Sequence, residues 1–295
     1  MADYVLSCCS TVDLSLEQMK ERNLNFVSYH YYLDDVRYTD DFGQTQPIHE
    51  FYQAMVNGAD TKTAQVNVEE FTEYFTPFLE SGKDIVHICM SSGITGVYNA
   101  ANIAKNDLLE KYPDRKIYIV DSLAASSGYG LLVDKLADLR DEGYTAEELV
   151  AWTEEHKLEI HHWFFSTDLT FYVKGGRVSK ASGWFGTVLK ICPLLNVSNI
   201  GKLIPRHKIR GKAKVIEAIV NKMKEHAAGG ASYSDKCYIC HSDVIEDAEA
   251  VKALVEKNFP NLKGKVRIYN IGTTIGSHTG PGTVALFFKG DKRED

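Results

Sequence analysis

No apolar run in this 295-residue chain approaches the roughly 18–20 residues that cross a bilayer, so stable membrane insertion is not expected. Positive charge is also in short supply. Against 33 Lys and Arg stand 40 Asp and Glu, a formal net charge of −7. A nucleic-acid partner is therefore not expected, because phosphate binding needs a basic surface. The opening Met1-Ala2-Asp3-Tyr4 has no basic segment, and only a strand-length apolar run follows. It does not read as a secretory signal, and a cytoplasmic protein is the expectation. The six cysteines then read as reduced thiols, not as a disulfide framework. The chain lacks a Walker loop, a kinase signature and a G-x-S-x-G elbow, so neither a nucleotide site of its own nor a standard serine-hydrolase turn is expected. It also lacks repeats, low-complexity tracts and long linkers.

What remains is an ordinary globular composition, 44% hydrophobic and 25% charged, in a chain long enough for two packed domains. Strands and helices alternate through the first part. Tyr4–Cys8 and Asn25–Tyr32 read as strands, Ile48–Asn57 and Val68–Glu80 as helices. Asp84–Met90 is apolar throughout, which predicts a central parallel strand; it runs into Ser91-Ser92-Gly93 and a helix reaching Tyr112. Lys116–Val120 is a further strand, followed by a long helix through Leu139. After a helix from Ala146 to about His161 the pattern changes. Trp163–Ser166, Leu194–Val197, Lys202–Arg206, Cys237–His241, Val266–Tyr269 and Thr283–Lys289 read as strands, with helices over Lys212–Ala228 and Asp247–Asn258. The expected fold is α/β: an N-terminal parallel-sheet domain over 1–162, and a smaller C-terminal α/β domain with a mixed sheet over 163–295.

Three glycine-bearing stretches carry the candidate chemistry. Ser91-Ser92-Gly93 follows a buried strand and precedes a helix, whose unpaired first amides and dipole favour an anion; simple N-capping is the competing explanation. Gly276-Ser277-His278-Thr279-Gly280-Pro281-Gly282 reads as a tight loop that fixes His278 between hydroxyls, to donate to an anion or act as a base. Lys174-Gly175-Gly176-Arg177, with Lys180, Lys190, Arg206, His207, Lys208, Arg210, Lys212 and Lys214, gathers cations in an otherwise acidic chain and reads as a surface for a phosphate or acidic partner. Thr61-Lys62-Thr63-Ala64-Gln65 reads as a loop between helices. Cys237-Tyr238-Ile239-Cys240-His241 has haem-attachment spacing, but its strand-like alternation and the missing axial ligand argue against haem, and no second Cys/His pair supports zinc. No metal or cofactor is expected.

Taken in order, these stretches resemble the DegV family along nearly the whole chain. The family's T-S-Q loop, S-S-x-x-S-G-T-Y junction, V-D-S turn, K-G-G-R-I-S segment, R-G-K-A helix start and I-G-x-x-I-G-x-H-x-G-P-G ending read here as Thr63–Gln65, Ser91–Tyr98, Val120–Ser122, Lys174–Ser179, Arg210–Ala213 and Ile271–Gly282. The opening D-S-T-A-D-L appears as Cys9–Leu14, with the first acid replaced, and Ala64 stands where serine is usual. The resemblance implies a two-domain protein that holds one long-chain fatty acid between its domains, similar to the binding subunit of bacterial fatty-acid kinase. By that likeness Thr63, Ser91, Ser92, Gly93, His278 and Thr279 bind the ligand. Arg177 and Arg210 face a separate kinase subunit that makes acyl-phosphate. The chain would then be a carrier and not an enzyme. The alternative is an autonomous acyl hydrolase or transferase using Ser92 and His278.

Overall fold

Residues 3–178 and 191–294 are described by the structure, a computed structural model. The first unit is built on four parallel strands, β1 (Tyr4–Cys9), β2 (Asn25–Val27), β6 (Asp84–Cys89) and β7 (Ile117–Asp121), in the order β2-β1-β6-β7. Beside it stand β3 (His30–Leu33), β4 (Val36–Thr39) and β5 (Thr61–Ala64), an antiparallel sheet in the order β4-β3-β5. Helices α1 (Leu16–Glu21), α2 (Ile48–Val56), α3 (Val68–Glu80), α4 (Val97–Lys111), α5 (Ser126–Asp141) and α6 (Ala146–His156) complete this unit. The second unit is a six-stranded mixed sheet. Its strands β8 (Ile160–Ser166), β9 (Ile191–Val197), β10 (Leu203–Arg210), β11 (Cys237–His241), β12 (Arg267–Asn270) and β13 (Thr283–Lys289) run in the order β10-β9-β8-β13-β11-β12. Helices α7 (Thr170–Lys174), α8 (Lys212–His226) and α9 (Ile245–Asn258) belong to it, while α10 (Thr273–Thr279), which precedes β13 in the chain, packs on α7 and on β3, β5 and α2 of the first unit. The division expected after residue 162 falls inside β8, so by sheet membership the second unit begins at Ile160.

Several elements follow directly from local chemistry. Helix α3 starts at a capping box, in which the Asn67 side chain accepts from the Glu70 amide and Glu70 accepts from the Asn67 amide. Its Phe71, Phe75 and Leu79 recur at helical spacing and are buried. Strand β6, apolar along its length, pairs in parallel with β1 on one side and β7 on the other, as a doubly covered strand should.

Helix α5 joins the two units. It is buried nearly all round and packs on β8, β11 and β13 of the second unit and on the turn at Ser10–Val12 and α6 of the first, while the Tyr129 hydroxyl accepts from the Cys9 amide and donates to the Ile88 carbonyl. Two glycines permit this. A Cβ at Gly128 would lie 2.4 Å from His162 Nε2, and one at Gly130 would lie 2.4 Å from the Val12 carbonyl. Near its middle, buried Asp134 accepts from Arg22 at 2.8 Å and from Tyr238 of β11. The main apolar core accordingly runs through both units without a break, from Leu6 and Ile88 to Phe164 and Phe287.

Four local expectations are corrected. The stretch 25–32 is two strands in different sheets, because the chain turns at Tyr29, whose amide donates to Ser10 Oγ and whose carbonyl accepts from Asp40. Residues 61–65 are not a loop: β5 pairs with β3, with Thr63 opposite Tyr31. The helix after Gly93 does not begin until Val97, because the Ser91 carbonyl closes a turn by accepting from the amides of Ile94 and Thr95. His278 is not on a loop either. It occupies the last turn of α10, which ends at Gly280 with φ +67°.

Candidate functional site

A cavity of about 340 Å³ opens where the two units meet. Phe164 of β8, Ala285 and Phe287 of β13 and Cys240 of β11 form its floor, and Met90 and Ile94 of the first unit face them. Its volume lies in the range of small-molecule sites, and its wall is mostly apolar.

One end is polar, and its parts come from distant segments. Strand β5 brings Thr63 to the cavity and α10 brings His278; Thr63 Oγ1 and His278 Nε2 lie 2.8 Å apart. His278 Nδ1 has no hydrogen-bond partner among the described residues. The ring sits directly on the turn after α7, where a Cβ at Gly175 would lie 2.4 Å from Nδ1. Two residues on, Arg177 donates to the Gly175 carbonyl and lines the cavity. Burial, and then the Arg177 charge, lower the His278 pKa to about 4, so its imidazole is neutral at neutral pH. A neutral imidazole in contact with a hydroxyl and beside a guanidinium can orient a carboxylate through hydrogen bonds without competing as a second cation.

Helix α10 is held at its other end by two buried carboxylates. Asp13 accepts from the Gly272 amide at 3.0 Å and from the Ser126 hydroxyl; Asp40 accepts from the Thr273 hydroxyl at 3.1 Å and from Ser10 Oγ at 3.3 Å. Carboxylates at the start of a helix meet its unpaired amides and its dipole. Burial raises the pKa of both acids. Neither residue stood out as a site residue in the sequence, although Asp13 is the second acid of the opening motif. Its place in that motif, four residues past β1, was the available signal.

The remaining expected site residues fall into two groups. Thr279 is buried and lines the cavity with Thr63, His278 and Arg177. Ser91, Ser92 and Gly93 are not among the lining residues. Ser91 Oγ donates to the Gly201 carbonyl in the β9–β10 turn and accepts from the Gly93 amide. Ser92 is exposed, and its amide donates to Asp121. Among the described residues no hydrogen bond joins the Ser92 hydroxyl to His278, whose Nε2 meets Thr63 instead. The cavity reaches this turn at Ile94, Thr95 and Gly96, and Thr95 Oγ1 donates to Gln65, just beyond β5. Cys9, where the first acid is replaced, is buried beneath the site, 3.6 Å from His87 Nε2. Arg210 is exposed at the end of β10. Ser179, Lys180 and Lys190 of the basic stretch lie outside the described residues.

Cys237 and Cys240 point to opposite faces of β11, one into each apolar cluster, and cannot share an ion. Among the described residues His161, His226 and Asp291 approach one another closely enough to ligate a metal. The two imidazoles are stacked at 4.7 Å and 20°, and each bonds the same Asp291 oxygen, Oδ1.

The chain matches the family model described as an uncharacterised protein, DegV family, over residues 9–291. It is 34% identical over 294 residues to a DegV domain-containing protein of Clostridium perfringens, covering 100% of both chains. A protein of Thermotoga maritima called fatty acid-binding protein is 30% identical over 283 residues, covering 94% of each chain. Among solved structures, the fatty acid kinase (Fak) B3 protein of Streptococcus pneumoniae, loaded with linoleic acid, has the same fold. It superposes with a TM-score of 0.82 at 23% identity over 99% of this chain and 100% of that one. The two-unit architecture, the ordered motifs and the length of these matches agree: the chain belongs to the DegV family.

Proposed function

We propose that this protein binds one long-chain fatty acid in the cavity between its two units and presents the carboxylate to a separate kinase subunit. The head group lies at the Thr63–His278 end, beside Arg177 and Thr279, and the tail runs along Phe164, Ala285 and Phe287. The observation that carries this reading is a largely apolar cavity closed at one end by a neutral His–Thr pair beside a cation. Each buried methylene contributes ~0.8 kcal/mol, so the tail supplies the affinity and the polar end supplies orientation. With His278 Nε2–H donating to Thr63 Oγ1, the Thr63 hydroxyl is free to donate to the ligand. The Ser91–Gly93 turn supports the wall from outside. Relatives that carry fatty acids support the ligand class, and the fold shared with a fatty acid kinase B protein supports the partner. Arg177 at the cavity and exposed Arg210 are the proposed contacts for that subunit.

Solvent extraction of the purified protein, followed by mass spectrometry, tests the ligand. A stoichiometric acyl chain, or uptake of added fatty acid, is the expected result. Finding neither refutes the reading. Acyl-phosphate formation with an added ATP-using kinase subunit tests the partner, and Arg210→Glu should slow it while leaving fatty-acid binding intact.

A further inference from the structure

Away from the cavity, the end of the chain completes a cluster of donor atoms. His161 of β8, His226 at the last residue of α8 and Asp291, two residues past β13, come together there. Asp291 Oδ1 lies 2.9 Å from His161 Nε2 and 3.1 Å from His226 Nδ1. A carboxylate only accepts, so both nitrogens carry a hydrogen aimed at that one oxygen, and their directions converge. The spacing is that of metal ligands: nitrogen and oxygen donors about 2.0–2.1 Å from a tetrahedral zinc stand roughly 3.3 Å apart. A fourth donor is in place, the Asp291 carbonyl, 2.9 Å from His161 Nε2.

The cluster is firm beneath and open above. The His161 side chain is 5% exposed and stacks on Phe288, whereas His226 is 31% and Asp291 61% exposed, so an ion can enter from solvent. Glu225 stands 3.9 Å from Nε2 of His226, the nitrogen turned away from the cluster, where a carboxylate orients a metal-bound imidazole. Two imidazoles with oxygen donors suit zinc, while calcium and magnesium take oxygen sets.

We propose that His161, His226 and Asp291 bind one zinc ion, with the Asp291 carbonyl or a water as fourth ligand, and that the ion pins the C-terminal segment to the second unit. Each imidazole then carries its hydrogen on its other nitrogen, which in His226 faces Glu225. The segment so pinned ends in a tie between the two units. Two residues beyond Asp291, buried Arg293 donates to the Val197 and Ser198 carbonyls of the second unit and to the Leu123 carbonyl of the first. Val197 itself lines the cavity. Zinc therefore stabilises the fold next to the cavity wall, whatever the cavity holds.

The test uses the full-length protein, stripped of metal with a chelator and carrying no histidine tag. Calorimetric titration with zinc should show one site per chain, and the thermal midpoint should rise as zinc is added. Asp291→Ala and His226→Phe, the second keeping a ring in the stack, should each weaken zinc binding by more than the ten- to hundredfold that even an outer-shell partner is worth, roughly, and cancel the rise. Nitrogen-15 NMR of the wild type needs no variant: His161 Nε2 and His226 Nδ1 should both shift with one equivalent of zinc, and the remaining histidines should not. Failure to bind zinc, binding retained in either variant, or two nitrogens that do not respond would each overturn the site and leave Asp291 as a hydrogen-bond acceptor alone.

Discussion

Two short segments, 91–96 and 273–279, each place serine or threonine beside glycine in strand–helix surroundings, yet they do different work. The first turns its buried serine hydroxyl outward to the neighbouring hairpin, onto the Gly201 carbonyl, and meets the cavity only with Ile94, Thr95 and Gly96. The second is fastened at its start by Asp13 and Asp40, which leaves its last turn to aim His278 at Thr63. Similar residue types thus serve as brace in one place and as contact in the other. What decides between them is which distant carbonyl or carboxylate each hydroxyl reaches.

Changes to the two segments should separate stability from binding. Gly201→Ala strikes the brace hardest. Its φ is +72°, and a Cβ would lie 1.9 Å from Ser91 Oγ. A loss of about 2–5 kcal/mol is expected from strain and overpacking, read as a lower denaturation midpoint. On the contact side, acid is the corresponding probe. In the unfolded chain His278 takes a proton near its ordinary pKa of 6.5, but in the fold only near 4. Its contribution to stability is therefore intact above pH 6.5 and is lost as the pH falls toward 4, by up to about 1.4 kcal/mol per pH unit. Unfolding of His278→Asn should show an acid slope shallower by that amount. Thr63→Val keeps the shape and removes the hydroxyl. It should weaken fatty-acid binding about ten- to a hundredfold, the scale of one hydrogen bond to a charged group, and also cost about 1–2 kcal/mol of stability, because His278 Nε2 loses its partner. Ser91→Ala should cost a similar amount of stability, about 1–2 kcal/mol, but spare affinity. Ser92→Ala, on an exposed side chain, should shift stability by less than about 0.5 kcal/mol and affinity not measurably.

The sequence pattern was most readable where the signal is local. Strands Cys237–His241 and Thr283–Lys289 and helix Val68–Glu80 match their expected bounds, because alternation, apolar content and an Asn67/Glu70 cap suffice to specify them. It was least readable where a partner far along the chain decides. Thr61–Ala64 is too short and polar to announce a strand, and becomes one on the free side of β3. Thr273–Thr279 looks like a loop because of its glycine, and becomes a helix because Asp13 and Asp40, more than 200 residues away, meet its first residues. The family motifs pointed to Thr63, His278, Thr279 and Arg177, which line the cavity, but equally to Ser91–Gly93, which do not. A motif records that residues occur together; it does not record which way their hydroxyls turn. His162 carried no motif at all, and only its place opposite Phe287 brings it to the cavity wall.

The most direct test is a crystal structure of the protein soaked with a long-chain fatty acid. Expected is continuous acyl density in the cavity, with a carboxylate oxygen within hydrogen-bonding distance of Thr63 Oγ1, beside His278, and the tail passing Phe164. A carboxylate seated on Ser92 at the outer face of the turn, or a cavity without acyl density at saturating ligand, would contradict the assignment.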